Sequence, residues 1–307
     1  MDGNQGRRGP AGVYAPVATT FGGDGELDLA GFKANLGFYA TSALDGVVLL
    51  GSNGEFALLD EGERDRVVAA GVEAIAGRRS VMAGTGGEST RDAIRRSRRA
   101  AELGADFALV VTPHYYRPRY DRTAYLDHYR AVADASPIPV VVYVMAAYTG
   151  VDLASDLVAE LSTHPNIVGV KDSGGNAPKV AEMIASAAPG FAVLAGSASF
   201  LYPALCLGAT GGIVALGNVA PDQCAELARL TLAGEHQAAR ALQFRLLAPN
   251  AAVTSGYGIA GLKTALDAVG LVGGAPRPPL RPLADGQAEA VRSTLREAGI
   301  GAVVGVG

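Results

Sequence analysis

Along this chain, short apolar runs, most of them rich in valine and isoleucine, alternate with segments of helical spacing. The runs cover residues 13–20, 46–50, 80–83, 107–111, 139–143, 167–170, 192–195 and 212–215. Strands apolar on both faces belong to parallel sheets, because each face then meets a helix rather than water. The segments between them carry start signals. Asp28 precedes a pattern over 29–40 with Leu29, Phe32, Leu36 and Tyr39 at helical spacing, Asp60 with Glu63 forms a capping box, and Ser89 with Asp92 opens a third helix. Further helices are expected at 123–135, 153–162, 179–188, 200–207 and 221–233. Eight strand–helix units in about 220 residues match an α/β fold, the (β/α)8 TIM barrel, better than an open doubly wound sheet. No G-x-G-x-x-G follows the first run, which lowers the dinucleotide-binding alternative.

These units occupy residues 11–233. Helical patterns at 238–247, 258–269 and 286–298 follow, with a proline-rich link at 276–282, and read as a C-terminal helical extension over 234–300. The ends, 1–10 and 301–307, are expected to be loosely ordered. A length of 307 residues suits one large domain or two medium ones. The net charge of -4 gives no reason to expect nucleic acid or an anionic membrane as partner. No apolar run approaches the ~20 residues of a membrane helix, and the start lacks the apolar core of a signal peptide. Cys206 and Cys224 are far apart and form no secreted-type disulfide framework, so a reducing cytoplasm fits. Arg91, Arg95, Arg96, Arg98 and Arg99 have helical spacing among acidic residues and read as a solvated helix face.

The C-terminal ends of barrel strands build the active site in this architecture. The sixth run leads straight into Lys171. Only four of the 26 basic residues are lysine (Lys33, Lys171, Lys179 and Lys263), so lysine here asks for a reason. Unlike arginine, lysine sheds its proton when buried, and the neutral amine attacks a ketone to form a Schiff base. The plain alternative is a strand-end lysine reaching solvent. After the second run, Gly51-Ser52-Asn53-Gly54 lies just before a helix, where backbone N–H groups and the Ser52 and Asn53 side chains are suited to a carboxylate, or form an ordinary glycine turn. Tyr143 ends the fifth run, one strand from Lys171, as a proton shuttle or a barrel-filling side chain. Thr19 ends the first run. Tyr115 and Tyr116 follow a proline in a loop. An amine, a carboxylate cradle and a phenol together suit a 2-oxo acid, with an iminium as the electron sink for making or breaking a nearby carbon–carbon bond. His114, His128, His164 and His236 show no metal-ligand spacing, so no metal is expected, and Ser52 and Ser197 lack a G-x-S-x-G context.

Ordered stretches of the chain carry a resemblance. They are Gly51 to Phe56, Val111-Thr112-Pro113 with Tyr115-Tyr116-Arg117, Ser136 to Val141, His164 to Gly169, Lys171 to Gly175, Val193 to Ser197 and Pro249 to Thr254. Together they resemble the dihydrodipicolinate synthase and N-acetylneuraminate lyase superfamily of class I pyruvate aldolases over nearly all of residues 12–300, and most of all 4-hydroxy-2-oxoglutarate aldolase. The resemblance implies Lys171 as the Schiff-base lysine, Tyr143 as the proton-transfer tyrosine, and Ser52 with Asn53 as the pyruvate carboxylate cradle. It makes Tyr115 the tyrosine lent to a neighbouring subunit's site, and Ser173 and Gly196 contacts further along the substrate. Thr19 and Tyr148 complete the substrate-binding candidates. It also implies a homotetramer built as a dimer of dimers, pyruvate and an aldehyde or second carbonyl as substrates, and no cofactor beyond the covalent Schiff base.

One loop departs from the family. After the fifth strand its members usually read Tyr-Asn-Val-Pro, two variable residues and Thr-Gly. This chain reads Tyr143-Val144-Met145-Ala146-Ala147-Tyr148-Thr149-Gly150. Tyr148 stands where dihydrodipicolinate synthases carry an arginine for a substrate carboxylate, and a phenol cannot make that bidentate pair. The lysine-biosynthesis reaction is therefore disfavoured, and an aromatic or amphipathic second carbonyl suits the more apolar loop. Three readings stand: an aldolase releasing or adding pyruvate, a dehydratase or hydratase-aldolase on a 2-oxo-3-deoxy or aryl 2-oxo acid, and a catalytically silent 2-oxo-acid-binding member.

Overall fold

The structure is a computed structural model and describes residues 9–302. Its eight strands are β1 (Gly12–Pro16), β2 (Gly46–Leu49), β3 (Ser80–Gly84), β4 (Phe107–Val111), β5 (Val140–Val144), β6 (Ile167–Asp172), β7 (Ala192–Ala195) and β8 (Gly211–Ile213). All pair in parallel in sequence order, and β1 pairs with β8 to close the barrel. The helices wrapping it are α1 (Leu29–Thr41), α2 (Glu61–Ile75), α3 (Thr90–Glu102), α4 (Arg122–Ala135), the single turn α5 (Ala146–Thr149), α6 (Ser155–Ser162), α7 (Ala177–Ser186), α8 (Leu201–Cys206) and α9 (Pro221–Leu232). The extension adds α10 (His236–Ala251), a π-helical turn (Ala252–Gly256), α11 (Gly258–Ala268) and α12 (Asp285–Glu297).

The expected (β/α)8 barrel with its helical extension is the fold observed. The capping signals act as read. Asp28 accepts from Gly31 N–H, Ser89 from Asp92 N–H, and Asp60 with Glu63 closes both bonds of a capping box. The first run is the largest difference in length: β1 stops at Pro16, although the apolar run continues to Thr20. Past Pro16, Val17 N–H still bonds Val48 O of β2, and Thr20 Oγ1 then donates to Asp28 O at the start of α1. Gly9 and Pro10, expected to be loose, lie against the barrel floor: Pro10 O accepts from Thr210 Oγ1, and a Cβ on Gly9 would sit 2.2 Å from Val168 O. The rest of the expectation for the two ends, residues 1–8 and 303–307, lies outside the described residues.

Two buried layers follow from strand alternation. Side chains such as Tyr14, Val48, Met82, Leu109, Val141 and Tyr143 fill the lumen, and a larger layer packs between strands and helices. β6 breaks the alternation. Val140 pairs with Ile167, but Val141 pairs with Gly169, so Val168 is an extra residue, a β-bulge. Val168 belongs to the lumen, Val170 to the outer layer, and Lys171 again faces the lumen beside Tyr143. Strict alternation from Val168 would have sent Lys171 out to the helices. Gly169 suits the bulge, because a Cβ there would crowd Ala192 O at 2.9 Å.

The extension is clamped to the barrel's upper rim. Lys263 Nζ on α11 lies 2.8 Å from Glu55 Oε1, with both side chains almost wholly buried. Glu55 Oε2 accepts from Arg277 N–H, and the Arg277 guanidinium bonds both carboxylate oxygens of Glu63 at 2.6 Å. Lys263 and Arg277 both stack on the Phe21 ring. Among the described residues no helix is long and apolar enough to cross a membrane.

Candidate active site

Lys171, Tyr143, Ser52 and Asn53 line one cavity of about 490 Å³ at the C-terminal end of the barrel. Lys171 Nζ sits 4.1 Å from the centroid of the Tyr143 ring, on the adjacent strand, where the two residues are register partners. The amine is buried, and burial alone pulls its pKa from 10.5 down to about 7. A neutral amine, able to attack a carbonyl, is thus present near neutral pH. Tyr143 Oη lies 3.1 Å from Ser52 Oγ. Burial raises the phenol's pKa, while the Ser52 and Ser173 hydroxyls offset part of the rise. Ser173 Oγ faces the phenol without closing a bond and has no partner of its own. The phenol is therefore protonated at neutral pH and able to donate a proton into the cavity.

Ser52 and Asn53 lie in a single helical turn, Ser52–Gly54, entered from Gly51, with first-turn N–H groups that have no acceptor inside the helix. Glu55 follows with φ 54°, a strained left-handed conformation for a side-chain-bearing residue. The Lys263 and Arg277 clasp holds it there. Thr19 does not line the cavity; its hydroxyl donates to Gly54 O at 2.7 Å, at the end of the Ser52–Gly54 turn. Gly196 lines the cavity, but its N–H is committed to Asp172 O at 2.7 Å, leaving its carbonyl as the polar group on offer. A Cβ on Gly196 would lie 2.1 Å from Ser173 Oγ, so glycine is what lets Ser173 reach the site. Tyr148, 62% exposed, stands at the cavity's outer edge.

Tyr115 does not join this constellation within one chain. It is 73% exposed and lies edge-on to Tyr116. Its turn is nonetheless fixed: Glu88 Oε2 accepts from the backbone N–H of His114 and Tyr115. The extension supplies a wall not read from the sequence as part of the site. Asn250 at the end of α10, and Thr254 in the π-helical turn, line the cavity, and Asn250 Nδ2 donates to Ser197 Oγ at 3.1 Å. Pro249 within α10 was the available signal, because proline removes a helical donor and π-turns gather at functional sites. Among the described residues no cluster of His, Cys, Asp or Glu is placed to hold a metal ion.

The family model described as the Dihydrodipicolinate synthetase family matches residues 9–298. The chain belongs to this family. It is 41% identical over 236 residues to a 4-hydroxy-tetrahydrodipicolinate synthase of Stenotrophomonas maltophilia, covering 77% of this chain and 79% of that one. It is 36% identical over 291 residues to a "Probable 4-hydroxy-2-oxoglutarate aldolase, mitochondrial" of Emericella nidulans, covering 93% and 94%. A crystal structure of chloride-inhibited dihydrodipicolinate synthase from Acinetobacter baumannii complexed with pyruvate superposes with TM-score 0.90 at 31% identity, covering 94% of this chain and 99% of that one. Dihydrodipicolinate synthetase family members are carbon–carbon lyases of the class I aldolase type, and so is this chain. Relatives named for two different reactions are similar to it at comparable identity, so the acceptor must be sought in the site itself.

Proposed function

We propose that the chain cleaves a 4-hydroxy-2-oxo acid to pyruvate and an aldehyde, and runs the reverse condensation, in the manner of a 4-hydroxy-2-oxoglutarate aldolase. The observation that carries this reading is the buried Lys171 amine, brought to a pKa of about 7 in one cavity with Tyr143, Ser52 and Asn53. The neutral amine adds to the 2-oxo carbon, and Tyr143 donates the proton that lets the hydroxyl leave as water. Ser52 and Asn53 hold the carboxylate, which fixes the carbonyl against the amine. The iminium then takes up the electron pair of the C3–C4 bond as it breaks. The C4 hydroxyl gives up its proton and becomes the aldehyde. Protonation at C3 and hydrolysis release pyruvate and restore the amine.

No cofactor enters this sequence. A relative solved with pyruvate supports pyruvate as the retained half. Tyr115, fixed on an exposed turn, is offered to a second copy of the chain, which makes an assembly of copies part of the reading.

Borohydride reduction in the presence of pyruvate, followed by intact mass, tests it. One reduced pyruvate should appear on the wild type and none on Lys171→Ala; addition that survives the substitution refutes the assignment. Pyruvate should form from 4-hydroxy-2-oxoglutarate, whereas a product that has lost water but kept all its carbons would mean a dehydratase. Tyr143→Phe should lower turnover by about 10²-fold or more, as for a lost general acid, and near-normal turnover rejects that role.

A further inference from the structure

A second concavity of about 710 Å³ opens from the Lys171 cavity. The two share Ser52, Met145, Tyr148 and Gly258, which together form a neck. Beyond the neck the groove runs between the 55–58 segment, the start of α11 and the 279–283 link. Its walls are Phe56, Tyr257, Ile259, Leu280 and Leu283. Four of these five residues come from the extension, which the clasp at Glu55 holds in place.

Charge is distributed unevenly along this path. Apart from Lys171 itself, none of the described residues lining the inner cavity is Arg, Lys, His, Asp or Glu. In the groove, Glu55 is committed to Lys263 and to Arg277 N–H, His114 is paired with Glu88, and Arg281 lies in the exposed 280–282 stretch of the link. A carboxylate on C4 of the substrate would therefore leave water for a neck of thioether, phenol, hydroxyl and glycine, with no cation to meet it. A ring would instead meet aromatic and sulfur-bearing walls, which favour edge-on and sulfur contacts.

We propose that this groove receives the C4 substituent of the substrate and that the substituent is an aromatic ring, so that the aldehyde released is an aryl aldehyde. The inference rests on the aldolase reading above. The balance is that of the parent reaction. The C3–C4 bond breaks, its electrons pass into the iminium, the C4 hydroxyl proton leaves, and the ring departs on the new aldehyde carbon.

The test compares kcat/KM for pyruvate release from 4-hydroxy-4-phenyl-2-oxobutanoate and from 4-hydroxy-2-oxoglutarate, in the wild type and in Tyr148→Arg. The wild type should favour the phenyl compound by about 10-fold or more, the scale on which apolar pockets discriminate. Tyr148→Arg places a cation at the neck and should move the preference toward the diacid by a further factor of about 10, a gain that a folding defect cannot imitate. Borohydride trapping with pyruvate is run on both proteins. Trapping with a wild-type preference for the diacid overturns the aryl assignment and leaves the aldolase reading standing. A phenyl preference that Tyr148→Arg does not move overturns the placement of the ring at this neck. Absence of trapping in the wild type overturns the aldolase reading itself.

Discussion

Replacing Lys171 with methionine should make the protein more stable at neutral pH, and by an amount that depends on pH. Methionine has nearly the same length, and its sulfur suits the face of the Tyr143 ring that the amine now occupies at 4.1 Å. The gain comes from removing a buried cation. In the unfolded chain the amine titrates near 10.5, and in the folded chain at about 7. At ~1.4 kcal/mol for each tenfold, keeping the proton in the folded state costs on the order of 5 kcal/mol. A folded-state pKa below the unfolded one means that the folded chain binds fewer protons between the two values. The deficit is therefore full below pH 7, declines between pH 7 and 10.5, and is gone above that. Water entering the site reduces these figures, so a gain of about 2–5 kcal/mol is expected at pH 6.5 and less than about 2 kcal/mol at pH 9. Urea unfolding of both proteins at the two pH values measures it. An equal difference at both, or a variant less stable at pH 6.5, would refute the claim that burial sets the charge of Lys171.

Three further outcomes follow from the geometry. The rate of borohydride-trappable adduct formation with pyruvate should rise about tenfold for each pH step below 7 and level off above about 8; a midpoint above pH 9 contradicts the buried-amine account. Lys263→Met strands the Glu55 carboxylate inside the protein and should cost about 3–5 kcal/mol, most of which Glu55→Gln in the same chain restores, as a double-mutant cycle in urea would show. Gly196→Ala drives a methyl group into Ser173 Oγ and Asp172 O, so kcat/KM should fall by about 10-fold or more while pyruvate trapping at Lys171 persists; unchanged kcat/KM would mean that Ser173 is not needed at the site.

Much of this architecture is legible in the chain because its signals are local. Capping residues, proline and glycine punctuation, and valine-rich runs each act within a few positions, and the helices begin within about two residues of where these signals place them. The candidate site was legible to the extent that strand ends converge: Lys171, Tyr143, Ser52 and Asn53 meet because parallel strands of one barrel end on one side. What remained hidden depends on distant parts of the chain. Thr19 looks like a ligand from its place in the run, but a bond to Gly54, 35 positions away, withdraws it. Asn250 and Thr254 enter the cavity because α10 packs against the turns that follow β7 and β8, and Pro249, the local signal there, does not say which part of the barrel α10 will meet. The partnership of Lys263 with Glu55 joins residues with no common motif.

The extra residue in β6 has a consequence for how such a protein changes over time. Because Val168 is inserted without a partner, every side chain beyond it is shown to the opposite side from the one that simple alternation would choose. Loss of that one codon would restore plain alternation from Ile167, which faces the helices, and would still leave Gly169 opposite Val141 and Lys171 in the lumen beside Tyr143. The strand would keep its length to within one residue, and the barrel its order. The amine's orientation is thus set by the register of Gly169 and its followers against β5, and a lineage of this fold can lose or regain the extra residue while the amine stays in the lumen.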